Sequence, residues 1–210
     1  MSRIIDISQT MRPEMPVWPG EPPVVLERLA EIGPECPVNV GKVSLPLHAG
    51  THADAPLHYV ADGEDAAESD LSAYMGSCTL VDASHVSETV EIEDLDWKEL
   101  SSAKRVLIRT YDEFPHDRWD AGFKAVSPSV VAKLGRMGVV LIGTDAPSLD
   151  PQDSKTMDAH QEVAKADLRI LEGLVLEGVP AGTYDLVALP LKLEGADATP
   201  VRAVLREVAR

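Results

Sequence analysis

The stretch HAGTHADAPLHY, residues 48–59, holds three of the six histidines of the chain together with Asp54. A helix would stack His48 and His52, four residues apart, on one face. Pro46, Gly50 and Pro56 stand against a helix here, and Asp54 would point elsewhere. A straight strand would put His48, Gly50, His52 and Asp54 on one face. At roughly 3.3 Å per residue, however, His48 and Asp54 would then lie about 20 Å apart, too far for one small site. The chain must therefore bend, and Gly50 is the residue that permits a bend. Imidazoles and a carboxylate converging on one point suit a divalent transition metal, with zinc the default. A hydrogen-bonded polar loop is the plain alternative for a lone histidine, but three histidines and an aspartate at this density favour the metal.

Such a site needs ligands from elsewhere in the chain. In RILEGLVLE, residues 169–177, Glu172 interrupts an apolar run. An ionised carboxylate inside such a strand is costly unless it is paired or metal-bound. An outward-facing Glu on an edge strand fits the pattern equally well. His160, at the start of a predicted helix, makes with Glu172 a candidate second arm of the same site. His85 and His116 stand in polar loops without a partner motif and are read as surface histidines.

The 210 residues suggest one domain spanning 1–210. The apolar fraction of 44% is enough for a sizeable core. The formal net charge of −16 argues against a nucleic-acid partner and against adhesion to anionic lipid. No apolar run approaches the ~20 residues of a membrane helix, and MSRIIDISQT has no signal-peptide apolar region. A cytoplasmic protein is expected. Cys36 and Cys78 lack CxxC spacing; they could pair, but reduced, buried thiols are expected.

Short β-branched runs recur: RIIDIS, PPVVLERL, GKVSLPL, CTLVDAS, RVLIRT, GVVLIGT, RILEGLVLE, YDLVALPLKL and VRAVLREV. Most are bounded by Gly, Pro or Asp and read as strands. SPSVVAKLGRMG predicts a helix with Ser127 as N-cap and Pro128 at the first position. MDAHQEVAKAD predicts a second helix with Asp158 as N-cap, and DLDWKELSS a short third. The class is α/β or α+β with a mixed sheet core. RPEMPVWPGEPP predicts an ordered arm, since its prolines cannot pair freely in a sheet. Trp18 in this arm reads, on sequence alone, as a core or interface tryptophan. Asp145 and Ser148, in GTDAPSLDP, fall at a strand end and receive no role.

HAGTHADAPLHY, IIDISQTMRPEMPVWPGEPP, GTDAPSLDPQDSKTMDAH and the segment ILEGLVLEGVPAGTYDLVALPLKLEGADATPVRAVL together resemble the cyclase-type metal-dependent hydrolases over nearly the whole chain. Within that family the match is to the branch that hydrolyses N-formyl-L-kynurenine to L-kynurenine and formate. The resemblance implies a swivelling β/β/α fold, a homodimer, and two zinc ions per subunit, manganese being used in sister branches. It implies that His48, His52 and Asp54 bind the first metal. Asp54 and His160 bind the second, and Glu172 contacts both. It makes His58 the catalytic acid/base and Trp18 the substrate-contacting tryptophan. A metal-activated hydroxide would attack the formyl carbon while His58 protonates the leaving aryl amine. His58 as a group that orients a ligand is the other reading. Sister branches that open cyclic amides such as isatin, and a non-catalytic metal-binding protein, are the alternatives.

Overall fold

The computed structural model describes residues 3–208. In chain order it contains β1 (Ile4–Asp6), β2 (Val25–Ala30), β3 (Val40–Ser44), β4 (His52–Asp54), β5 (Met75–Asp82), β6 (Thr89–Val90), β7 (Arg105–Arg109), β8 (Ala125–Val126), α1 (Pro128–Arg136), β9 (Leu141–Thr144), α2 (Asp158–Ala166), β10 (Arg169–Glu172), β11 (Gly182–Val187), β12 (Ala198–Pro200) and β13 (Val204–Glu207). Nine strands form one mixed sheet in the order β1-β13-β11-β5-β7-β9-β10-β4-β12. The neighbours β5, β7, β9 and β10 run parallel, and the flanking pairs are antiparallel. This is the mixed α/β class. Among the described residues no helix is long and apolar enough to cross a membrane.

The parallel strands are apolar almost throughout because both faces of the sheet are covered. Period two divides their side chains between two clusters. Val106, Ile108, Ile142 and Ile170 pack against Val130, Val131 and Leu134 of α1 and Val163 of α2. Leu107, Leu141 and Leu171 face the other way, toward Leu80, Leu186 and Leu205. Ala53 of β4 belongs to this second cluster, so its neighbours His52 and Asp54 turn toward the helix face. Antiparallel register sets Glu172 opposite His52 and Ile170 opposite Asp54. The sheet thus delivers three polar side chains to the face where α2 carries His160.

Each of the nine β-branched runs overlaps a strand. The three-residue strands β4 and β12 and the two-residue strands β6 and β8 are too short to leave a periodic signal. Helix α1 begins as predicted, with Ser127 before Pro128, although the Ser127 hydroxyl bonds Ser129 rather than a backbone N–H. Helix α2 differs. Asp158 is its first helical residue, and Met157, in the left-handed region at φ 51°, takes the cap position. The capping carboxylate comes from Asp150, which accepts from the N–H groups of Ala159 (2.9 Å) and His160 (3.0 Å). DLDWKELSS forms a 3₁₀ turn at Glu99–Ser102 instead of an α-helix. Trp97 donates its indole N–H to the Ile92 carbonyl (2.6 Å), and Asp96 accepts from the Lys98 N–H, local bonds that compete with helix propagation.

The Pro-rich arm is neither helix nor strand. Met15 and Val24 pack with Ala49 beside Met11, Val17 and Leu45, which lays the arm against the Gly50 bend. Both cysteines are free; Cys78 is buried, which pushes its thiol up to about 12, whereas Cys36, expected to be buried, is only partly so because it lies in the projecting β2–β3 hairpin. The β2–β3 hairpin projects a row of exposed apolar residues, Leu26 (55%), Leu29 (60%) and Ile32 (66%) among them.

Gly50 and Gly173 meet where β4 and β10 begin and end. Gly50 has φ 67° and Gly173 φ 61°. A Cβ at Gly173 would lie 2.4 Å from the Gly50 carbonyl oxygen, a contact that only backbone movement relieves. Gly173→Ala should therefore lower the stability of the protein by about 1–3 kcal/mol, read as a fall in Tm. An unchanged Tm would show that this abutment is loose.

Candidate metal centre

The bend at Gly50 and the β4–β10 register bring His48, His52, Asp54, His160 and Glu172 together. His48 Nδ1 lies 3.1 Å and His52 Nε2 3.3 Å from Asp54 Oδ1. His160 Nε2 lies 3.5 Å from Asp54 Oδ2 and 3.6 Å from Glu172 Oε1. His52 Nε2 is also 3.4 Å from Glu172 Oε2. All but His48 are buried, and His48 is only partly exposed.

These contacts have the lengths of hydrogen bonds without their alignment. His52 Nε2, His160 Nε2 and both carboxylate oxygens of Asp54 are buried and have no hydrogen-bond partner. Buried polar atoms are normally paired, so four such atoms in one place call for an explanation. A bound cation supplies one, because it is the partner that lone pairs converging on common points can share. The residues present fit a divalent metal.

The far sides of the rings are held in the manner that metal-ligating histidines require. The His52 Nδ1–H donates to the Gly50 carbonyl at 3.0 Å. The His160 Nδ1–H donates to Asp150 Oδ2 at 2.6 Å. Each bond fixes a tautomer whose Nε2 lone pair points into the cluster. Glu172 Oε1 additionally accepts the Leu149 N–H at 2.9 Å. Asp150 thus caps α2 and orients His160 with one side chain.

His58 lies on a 3₁₀ turn after β4, Pro56–His58. Its ring is 4.2 Å from that of His48 and 5.8 Å from that of His160, and its Nδ1 is 3.5 Å from Asp197 Oδ2. Asp197 also lies 3.2 Å from His48 Nε2. Asp150 and Asp197 were not visible as site residues in the sequence, since each is a loop aspartate in an acid-rich chain. Asp145 accepts from the Thr110 N–H and hydroxyl and from the Tyr111 N–H, and burial raises its pKa to about 6. The Ser148 hydroxyl accepts the Asp150 N–H at 3.2 Å. Both brace loops beside the cluster. His85 and His116 are exposed and outside the cluster.

A cavity of about 250 Å³ opens over these groups, and Trp18 lines it together with His48, His58, His160 and Glu172. Trp18 packs edge-on against Trp119 at 5.2 Å between ring centres. The arm thus brings an indole to the buried cluster.

Residues 5–151 match the model of the family described as "Putative cyclase". The chain belongs to this cyclase family. Among its curated relatives, a "Kynurenine formamidase" of Sphingopyxis alaskensis is 59% identical over 209 residues, covering 100% of both chains. A second "Kynurenine formamidase", of Maricaulis maris, is 53% identical over 99% of this chain and 100% of its own. A solved structure titled a potential metal-dependent hydrolase with cyclase activity superposes with a TM-score of 0.88 at 28% identity, over 100% of both chains. An isatin hydrolase bound to the product analogue thioisatinate superposes at 0.86 with 18% identity, over 99% of this chain and 93% of its own. That last likeness is one of fold.

Burial lowers the proton affinity of His52 and His160. It is outweighed by the carboxylates of Asp54 and Glu172 around His52, and of Asp150, Asp54 and Glu172 around His160, which raise both from 6.5 to about 10. A proton on Nε2 of either ring therefore competes with a metal for the same lone pair. Zinc binding to the chelated protein at pH 8 should release protons, and affinity should rise with pH toward 10. Calorimetry in buffers of different ionisation enthalpy checks this, and an enthalpy independent of the buffer would contradict it.

Proposed function

We propose that this protein hydrolyses the linear amide of N-formyl-L-kynurenine, giving L-kynurenine and formate, in the cytoplasm. The reading rests on a buried cluster of imidazoles and carboxylates that forms the floor of an aromatic-walled cavity. It is supported by full-length identity above 50% to relatives named for that activity. In this reading His48, His52 and Asp54 hold a first zinc ion, while Asp54, His160 and Glu172 hold a second, with Glu172 reaching both. Manganese is the alternative metal. When bound, such ions make water a usable nucleophile at neutral pH and polarise the amide carbonyl.

The remaining work falls to the side chains. The Trp18 indole gives the substrate's aryl ring an apolar face, and Trp119 holds that indole in place. An aryl amine leaves poorly unless its nitrogen is protonated as the C–N bond breaks. His58 stands beside the cluster, partly exposed, and with Nδ1 turned to Asp197 its Nε2 is the atom left to carry that proton. Asp150 and Gly50 hold His160 and His52 so that no ring must turn during the reaction.

The test is turnover of N-formylkynurenine against isatin, with and without chelator. Chelator-sensitive hydrolysis of the formamide, much faster than opening of isatin, is expected, and the reverse preference would move the protein to the cyclic-amide hydrolases. His58→Ala should keep its metal and lose kcat by about 10²–10⁴-fold. Loss of metal from that variant, with activity restored by added zinc, would make His58 a ligand or a ligand's support.

A homodimer is part of the same reading. The exposed apolar row on the β2–β3 hairpin is the kind of surface that association buries. Light scattering should give twice the chain mass, and Leu29→Asp should shift the protein toward monomer. A monomeric wild type would remove the dimer.

A further inference from the structure

We infer that the cavity wall built by the Trp18–Trp119 pair carries a subsite for an amino-acid zwitterion, in which Arg118 receives the α-carboxylate and Glu21 the α-ammonium. The inference rests on the reading of N-formyl-L-kynurenine as substrate. It concerns the end of that molecule remote from the amide.

The residues Trp18, Pro19, Gly20 and Glu21 form a tight turn. The Glu21 N–H donates to the Trp18 carbonyl at 3.0 Å, and Gly20 has φ 99°, the geometry that a Pro-Gly pair favours. The turn places the Glu21 carboxylate three residues beyond the indole, and both side chains line the cavity. Arg118 precedes Trp119 directly, and both of these line the cavity as well. Glu21 and Arg118, a negative and a positive side chain, thus line the same cavity as the two indoles packed at 5.2 Å.

The charged neighbours there are already engaged. Asp145 is bound to Thr110 and Tyr111. Asp120 accepts the Tyr111 hydroxyl on one oxygen and the Gly122 N–H on the other, both at 3.1 Å. Glu21 differs, because its Oε2 is buried without a hydrogen-bond partner. The Arg118 guanidinium makes no ion pair within 4.0 Å and no hydrogen bond with any described residue. Removing a carboxylate oxygen from water without a partner is costly, and a ligand ammonium repairs that cost. The planar guanidinium fork matches a carboxylate in two parallel bonds. Arg118 is exposed, whereas Glu21 is half-buried, which places the carboxylate at the mouth and the amine further in. A neutral cyclic amide would leave both groups unsatisfied, so this wall selects for a substrate with an amino-acid arm.

The test pairs two variants with three substrates. These are N-formylkynurenine, N-formylkynuramine, which keeps the amine but lacks the carboxylate, and the deaminated analogue, which keeps the carboxylate. Arg118→Gln should raise KM for N-formylkynurenine on the order of 10-fold to 100-fold with kcat retained. That penalty should shrink to under about threefold on N-formylkynuramine and persist on the deaminated analogue. Glu21→Gln should show the opposite pattern. Arg118→Lys and Glu21→Asp, which keep the charges, should recover part of the loss. An active wild type whose variants show equal penalties on all three substrates, or none, overturns the subsite alone. A wild type inactive on N-formylkynurenine overturns the substrate reading and the subsite with it.

Discussion

Asp54 is a fully buried carboxylate facing three imidazoles at 3.1 to 3.5 Å, with a second carboxylate, Glu172, against two of them. Burial alone would drive the Asp54 proton affinity up. The facing rings of His160, His48 and His52 overcome this and hold it well below the usual carboxylate range. In a medium of low dielectric the attraction is strong, but so is the penalty if one member is misplaced. The surrounding architecture prevents misplacement. The β4–β10 register fixes His52 against Glu172, the left-handed Gly50 swings His48 inward, and Asp150 clamps the start of α2 so that His160 has one orientation.

The division of labour between sheet and loops explains what could be read in the sequence. Strand-forming runs such as RVLIRT and GVVLIGT announce themselves because burial on two faces demands unbroken apolar character. The HAGTHADAPLHY stretch announces itself because imidazoles are scarce. Glu172 stood out only as an anomaly in an apolar run, and the register shows why it is there, directly across from His52. Asp150 left no such signal. Its role depends on reaching Ala159 and His160 across a loop, and separation in sequence hides that contact. For the same reason Asp158 looked like the cap of α2, whereas the carboxylate that serves the first turn lies further upstream. Asp197, on the loop before β12, was equally silent.

The sheet and the cavity wall are built by different parts of the molecule. The superposition on an isatin hydrolase at 18% identity shows the same fold carried by a largely different sequence. A fold kept at such divergence does not by itself fix the side chains that line a site. Here the cavity wall is built by the Pro-rich arm and the segment around Trp119, both without regular secondary structure. Turns and loops can change which groups they present without disturbing a ladder of hydrogen bonds.

The bond from the Thr51 hydroxyl to the Gly173 carbonyl, 2.7 Å long, spans 122 residues of chain. It marks the seam between the two arms of the site. One arm is complete early in the chain, but it gathers only part of the donor set. The other arm is made late, after the central parallel strands. During synthesis the first arm must therefore wait, its histidines unassembled, until β10 has emerged and found β4. Non-local pairings of this kind close slowly. An ion shared by both arms would consequently be acquired late in the life of each molecule. It would seal a sheet that has already formed, and a chain stalled before Glu172 would compete poorly for scarce metal.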